Sequence, residues 1–516
     1  MNKSHLTYIR NIILPCLFYP ALTGVFTGGV IFLFKLAVSK AVPLSAYAYS
    51  VARESIAYLP LLLIVAAFLG CISALILRIA PDCKGGGIPT SITLLRGLAD
   101  FSWVKSIFLL FPSAIITYLA GVPLGTEGPA VQMGTAVGRG TVRVFAKKRL
   151  SLDRYIMTSG ASAGFAAATG APLTGMIFAF EEAHGRFNPM LFMSAAVSAL
   201  TSSTVMRFLC PLAGISPVLF HLNIEASMPI KYAWSCALTA VFCVAVAGAF
   251  TKIYSRVHHL SSSFISSMPA LVKVCLVFVL TALSGYFCHE ITGSGDHIIE
   301  ELFEGHVNPK LLIILLCVRG IIMIVSNNIG ITGGLFVPNI CFGAIIGALC
   351  GKAVISLDLL PGEYYIICVI AGISAFLAAC SKTPLMALAF CIEALSGTAN
   401  LIPVAVGVTV AFIAVETLRI HDFTEIVIES KLRKANAGKH KETADISMTV
   451  KEGSFAEGKQ IRDILWPPSC TVLSVHKKPS KHHHSHTGIA AGDELELHFE
   501  TYDKEQTLKI LSSIIE

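Results

Sequence analysis

Long apolar runs, interrupted by short polar or Gly/Pro stretches, fill the first 430 positions. They fall at about 12–37, 57–80, 106–124, 128–145, 155–183, 189–213, 231–255, 271–289, 310–330, 335–355, 364–380, 383–396 and 400–418. A simple membrane-crossing helix needs roughly 20 apolar residues. Several of these runs are shorter, or are split by Gly and Pro, and so predict broken helices. Such breaks at membrane depth are tolerated only where the loosened backbone is buried in protein or lines a cavity. Near residue 419 the pattern changes. The remainder carries about half of the chain's acids and alternates polar with apolar positions. It predicts strands over 446–450, 470–476 and 494–499, a short helix over 459–465 and a longer one over 504–515. Residues 431–445 read as a linker between a membrane part (1–430) and a small α+β unit (446–516).

The apolar part repeats itself. Gly160, Ser162, Pro172 and Glu181 recur with the same spacing as Gly372, Ser374, Pro384 and Glu393. Upstream, Pro129, Gly134 and Gly138 match Pro338, Gly343 and Gly347. Two halves meeting near 215–230 are therefore expected to share one fold, as in many secondary transporters.

Composition agrees. The chain of 516 residues is 54% hydrophobic and 14% charged, with a mean hydropathy of +0.72. Soluble chains carry about 25% charged residues, so this is a polytopic membrane protein. The formal charge of +7 has no basic stripe behind it, and no nucleic-acid partner is expected. The fifteen cysteines are scattered without ligand spacing and read as small buried hydrophobes, with no metal site. Lys3 and Arg10 precede the first run, which is too long for a signal-peptide core. Arg139, Arg143, Lys147, Lys148, Arg149 and Arg154 mark a link expected on the cytoplasmic side. There is no nucleophile elbow, P-loop or dinucleotide fingerprint, so neither an enzyme nor a cofactor is expected.

Three Gly-Pro clusters carry the chemistry: Gly85-Gly86-Gly87-Ile88-Pro89, Gly125-Thr126-Glu127-Gly128-Pro129 and Gly333-Gly334-Leu335-Phe336-Val337-Pro338. Each ends in a proline suited to a first helical turn. A helix start exposes N–H groups and a partial positive charge, and so attracts anions. Converging starts would replace an anion's water shell without a full cation. Glu127 is a carboxylate placed where such an anion would sit.

The three clusters, in this order, resemble the CLC family of chloride channels and chloride/proton antiporters. The resemblance spans about residues 10–430. It implies an all-α membrane fold of two inverted repeats of broken, tilted helices, and a homodimer with one pore per subunit. It assigns Glu127 as the external gate and proton carrier. It assigns the anion path to Gly85, Gly86, Gly87, Ile88, Pro89, Gly125, Gly128, Leu335 and Phe336. A glutamate matching Glu182 passes protons to the inner solution in the family's antiporters. The repeat supports a special role there: Glu181 has its counterpart in Glu393, whereas Glu182 aligns with Ala394. Two positions depart from the family. Its serine in the first cluster is Gly86 here, and its central tyrosine aligns with Phe423. A site lacking both hydroxyls is expected to prefer chloride less and to couple protons more loosely.

The tail resembles the TrkA-C (RCK-C) module through 450–454, Gly458-Lys459 and 491–495. That resemblance implies regulation, either through a small ligand such as a cyclic dinucleotide or as a dimer brace without one. A prokaryotic inner membrane with the tail in the cytoplasm follows. His482, His483, His484 and His486 read as a solvated loop. The main expectation is a proton-coupled chloride antiporter. The rivals are a passive voltage- or ligand-gated chloride channel on the same scaffold and a membrane-anchored sensor.

Overall fold

The computed structural model describes residues 8–146, 149–220, 222, 226–263, 268–306, 308–395, 397–477 and 488–516. The histidine cluster at 482–486 and Lys147-Lys148 lie outside them. Among the described residues, nine helices are long and apolar enough to cross a membrane. Shorter pieces such as Ile88–Leu95, Pro172–Phe178 and Pro384–Ala394 are packed among them.

Two runs differ from expectation. The first begins as a π-helical stretch, Ile9–Phe18, and continues as one helix, Tyr19–Glu54. Pro15 inside the stretch cannot donate to the ordinary ladder, which favours the wider turn. The run at 155–183 is three pieces. Leu150–Thr169 stops at Gly170, Pro172–Phe178 follows, and Ala179–Ala183 is a π-helical turn.

The repeat is visible as matched packing. A Cβ built on Gly134 would lie 2.1 Å from Gly160 O, and one built on Gly343 would lie 2.4 Å from Gly372 O. Only glycine permits this backbone-on-backbone approach. The halves also hold each other reciprocally. Glu181 accepts from Leu385 N (2.9 Å) and Met386 N (2.6 Å), at the start of Pro384–Ala394. Glu393 accepts from Leu173 N (2.7 Å) and Thr174 N (2.8 Å), at the start of Pro172–Phe178. Each carboxylate neutralises the other half's orphaned helix N–H groups. Gly125 and Gly334 do the same through an antiparallel bridge, with N–H to C=O distances of 2.7 Å in both directions. Contacts that swap equivalent residues are what a two-fold axis between the halves produces.

The tail is a three-stranded antiparallel sheet in the order β1 (Glu442–Thr449), β3 (Glu494–Thr501), β2 (Cys470–His476), with the helix Lys504–Ile515. The expected helix at 459–465 is only a 3-10 turn, Ile461–Asp463. Pro467 and Pro468 lie a few residues further on and cannot extend a helical ladder. Before the sheet, a helix spans Phe423–Ala435. The 463–466 backbone docks on the start of Leu150–Thr169. Tyr155 Oη donates to Asp463 O (2.9 Å), Asn188 Nδ2 donates to the same oxygen (2.8 Å), and Arg154 Nη1 donates to Trp466 O (2.7 Å). Much of the basic link is therefore engaged: Arg143 pairs with Asp153 at 2.8 Å and Arg149 donates to Asn11 at 3.0 Å. Lys459 is buried in this docked tail, its Nζ donating to Phe455 O at 2.6 Å. Burial, with Arg149 nearby, lowers its pKa to about 7.

Candidate functional site

The three clusters meet. Pro89, Pro129 and Pro338 each lie in the first turn of a helix, Ile88–Leu95, Glu127–Phe145 and Phe336–Ser356 respectively. The glycines before them interlock. A Cβ on Gly87 would lie 2.1 Å from Gly128 C, and one on Gly128 would lie 2.2 Å from Gly86 O and 2.7 Å from Gly334 Cα. Any side chain at these positions would push the helix starts apart. Because the Gly125–Gly334 bridge is antiparallel, the second and third helices leave the meeting point in opposite senses.

Glu127 is the first residue of its helix and is fully buried. Its Oε1 accepts from Thr126 Oγ1 at 2.8 Å, and the carboxylate also accepts its own backbone N–H. Its Oε2 is buried without a partner among the described residues. Tyr118 Oη donates to Gly125 O at 2.7 Å and holds the preceding turn. The carboxylate thus folds onto the positive end of its own helix, where a competing anion would also be drawn.

A cavity of about 30 Å³ lies beside the clusters. A water needs some 10–15 Å³ of such space, so the cavity suits one small ion or a couple of waters. Gly86, Ile88, Leu335, Phe336, Glu182 and Phe423 are among its walls. Sequence positions from 86 to 423 are brought to one spot. The N–H groups of Leu335 and Phe336 have no protein acceptor among the described residues. Ile88 differs: its N–H closes a tight turn on Gly86 O at 2.8 Å. Gly85 faces a different and larger cavity of about 480 Å³, lined also by Lys84, Tyr254, Asn327 and Lys431.

Glu182 is 8% exposed and reaches Thr424 Oγ1 at 3.5 Å. It lies in the π-helical turn Ala179–Ala183, and such turns are frequent at functional sites. Neighbouring carboxylates are thereby separated. Glu181 caps the other half, whereas Glu182 faces the cavity. Arg96 holds the turn from behind, donating to Ala183 O (2.9 Å), Glu182 O (3.3 Å) and Glu425 (2.6 Å).

Sequence reasoning missed four residues. Lys35, on Tyr19–Glu54, lies within electrostatic reach of Glu127 together with Asp296, and its buried ammonium has no hydrogen-bond partner among the described residues. Asn339 lines the small cavity. Asn327 and Tyr254 border the larger one. The available signal was a polar residue inside an apolar run, most plainly in Ser326-Asn327-Asn328.

Comparison with known proteins points the same way. The family model for the voltage gated chloride channel matches residues 67–416, more than half of the chain. An "H(+)/Cl(-) exchange transporter ClcA" from Salmonella schwarzengrund is 27% identical over 390 residues, covering 74% of this chain and 81% of that protein. A slow cyanobacterial Cl-/H+ antiporter superposes with a TM-score of 0.75 at 22% identity, covering 82% of this chain and 99% of that one. A CLC-type fluoride/proton antiporter superposes with a TM-score of 0.64 at 16% identity, covering 78% of this chain and 95% of that one. With its three helix starts meeting at a buried glutamate and a matching family model over most of its membrane part, the chain belongs to the voltage-gated chloride channel (CLC) family.

Proposed function

We propose that this integral, multi-pass membrane protein exchanges chloride for protons. The observation that carries the reading is Glu127, a buried carboxylate at converging helix starts with one oxygen unpaired among the described residues, while Glu182 lies in the wall of the ion-sized cavity beside those starts. When ionised, Glu127 competes with chloride for the positive helix ends. When protonated, it loses that attraction and yields the place to the anion. Anion entry and proton uptake then favour each other. Gly86, Leu335, Phe336 and Phe423 wall the anion's resting place, and Glu182 passes the proton toward the tail side. Relatives named as H(+)/Cl(-) exchangers support the substrate assignment. The protein acts as a secondary transporter and not as an enzyme.

We read the membrane part as 1–430 and the tail as a regulatory TrkA-C-like module in the cytoplasm; of the 431–445 stretch expected as a linker, the first residues extend the helix Phe423–Ala435 and the last belong to the tail's first strand, Glu442–Thr449. Its docking beside the turn that carries Glu182 supports a regulatory role, through a small ligand such as a cyclic dinucleotide. Two copies pair as a homodimer, one pore in each.

The test is reconstitution in liposomes with an imposed chloride gradient and a pH readout. Uphill proton movement is expected in the wild type and is lost in Glu127→Gln and Glu182→Gln. Chloride flux without proton movement in the wild type would establish a passive channel instead. No flux at all would favour a membrane-anchored sensor.

A further inference from the structure

Gly86 leaves the first cluster without a side-chain donor, but the structure fills the space. A Cβ built on Gly86 would lie 3.0 Å from Asn327 Nδ2. The position a residue-86 side chain would occupy is therefore held by an amide from a helix far away in sequence, Pro309–Ile329. Asn327 is 6% exposed, and its Nδ2 has no hydrogen-bond partner among the described residues. Leaving a buried amide unpaired is costly, so such a group persists where a ligand takes it up. Its other end is fixed: Tyr254 Oη donates to Asn327 Oδ1 at 3.0 Å. That contact commits the oxygen to Tyr254 and turns the NH2 toward Gly86. The Tyr254 ring in turn stands edge-on to Phe423, with centroids 4.3 Å apart.

Asn327 also faces a cavity of its own. It borders the cavity of about 480 Å³ that Lys84 and Lys431 line, while Gly86 borders the cavity of about 30 Å³. An NH2 group donates and carries no charge, so it can replace part of a halide's hydration without trapping it.

We propose that Asn327 is a specificity-determining anion ligand of this transporter, donating through Nδ2 in place of the side chain that Gly86 lacks. Tyr254 is its positioning residue. The Gly86 and Asn327 positions form one functional unit, and the site is richer in donors than its glycine suggests. The proposal rests on the chloride reading above.

The test measures equilibrium chloride binding calorimetrically on the full chain in detergent, beside chloride and proton flux in liposomes. Asn327→Ala is expected to bind chloride roughly ten- to a hundredfold more weakly, the loss of one hydrogen bond to a charged partner. Asn327→Asp keeps the shape and the Tyr254 acceptor but presents an anion, and is expected to abolish binding at neutral pH. Gly86→Ser combined with Asn327→Ala is expected to recover much of the affinity, because the new hydroxyl enters the vacated space. Tyr254→Phe is expected to weaken binding about threefold through disorder of the amide. If Asn327→Ala fails to fold, as judged by its elution profile, the nearly isosteric Asn327→Asp decides. Wild-type affinity in either folded variant would overturn the proposal. Chloride binding that depends on Asn327, without coupled proton flux, would sink the antiport reading and leave this one standing.

Discussion

The two halves of the membrane part share a frame and differ in what the frame presents. At Glu127 and Phe336, equivalent first residues of equivalent helices, one half offers a carboxylate and the other an aromatic ring with a bare N–H behind it. At Glu182 and Ala394, one half offers a second carboxylate and the other a methyl. Where the halves agree, the residues hold structure: Gly134 and Gly343, Glu181 and Glu393, Gly125 and Gly334. Agreement across the repeat marks architecture; under the proposed function, the disagreements at Glu127 and Glu182 serve the transported ions. A symmetric frame brings helix starts together from both sides, and only asymmetric side chains can give the passage a direction.

The frame should break equally from either side. Gly134→Ala and Gly343→Ala each drive a Cβ into a backbone oxygen, at 2.1 and 2.4 Å. Each is expected to cost about 3 kcal/mol, the upper end of overpacking, read as lost folded protein in detergent. A large loss in one half only would show that the glycines are not equivalent.

The asymmetric positions should break only the coupling. Glu182→Gln is expected to slow proton counterflow on the order of a hundredfold, the usual contribution of a positioned proton carrier. Ala394→Ser, at the matching place, is expected to leave it unchanged. Equal slowing in both would remove the distinction between frame and function.

The reciprocal caps give a finer test. Glu181→Gln and Glu393→Gln each weaken the hold on two backbone N–H groups of the opposite half. Each is expected to lower stability by about 1 kcal/mol, as for the loss of a helix cap, with the two values close together in thermal unfolding.

The tail lies outside the repeat and should respond to pH separately. Burial lowers the pKa of Lys459 from the 10.5 of a free lysine to about 7. Between these values the unfolded tail binds a proton that the docked tail does not, so docking strengthens as pH rises. Below pH 7 both states are protonated and the cost is constant. Hydrogen exchange in the 450–466 segment is expected to slow from pH 7 to 9 after correction for intrinsic rates. Lys459→Met is expected to flatten that trend, the smallest effect of the set.

Glu127, the three proline-tipped clusters and the repeat were legible because each rests on a local oddity. A glutamate in an apolar run, a proline at a fixed offset from glycines, and a spacing that recurs need no neighbours to be noticed. The strand Cys470–His476 and the helix Lys504–Ile515 were legible for the same reason, since their periodicity is their own. The turn at Ile461–Asp463 was not, because the following prolines outweigh a short apolar pattern.

Chain chemistry alone determined that this protein lives in a bilayer, that it is built twice over, and that one carboxylate sits at a helix start. Tertiary structure alone decided which helix starts touch, that a π-helical turn sends Glu181 to the frame and Glu182 to the cavity, and that Asn327 comes to rest where Gly86 has no side chain. The division has a physical cause. Backbone stiffness, charge and hydropathy act within a few residues, whereas a donor's usefulness depends on which distant surface packing brings to within 3.0 Å of it.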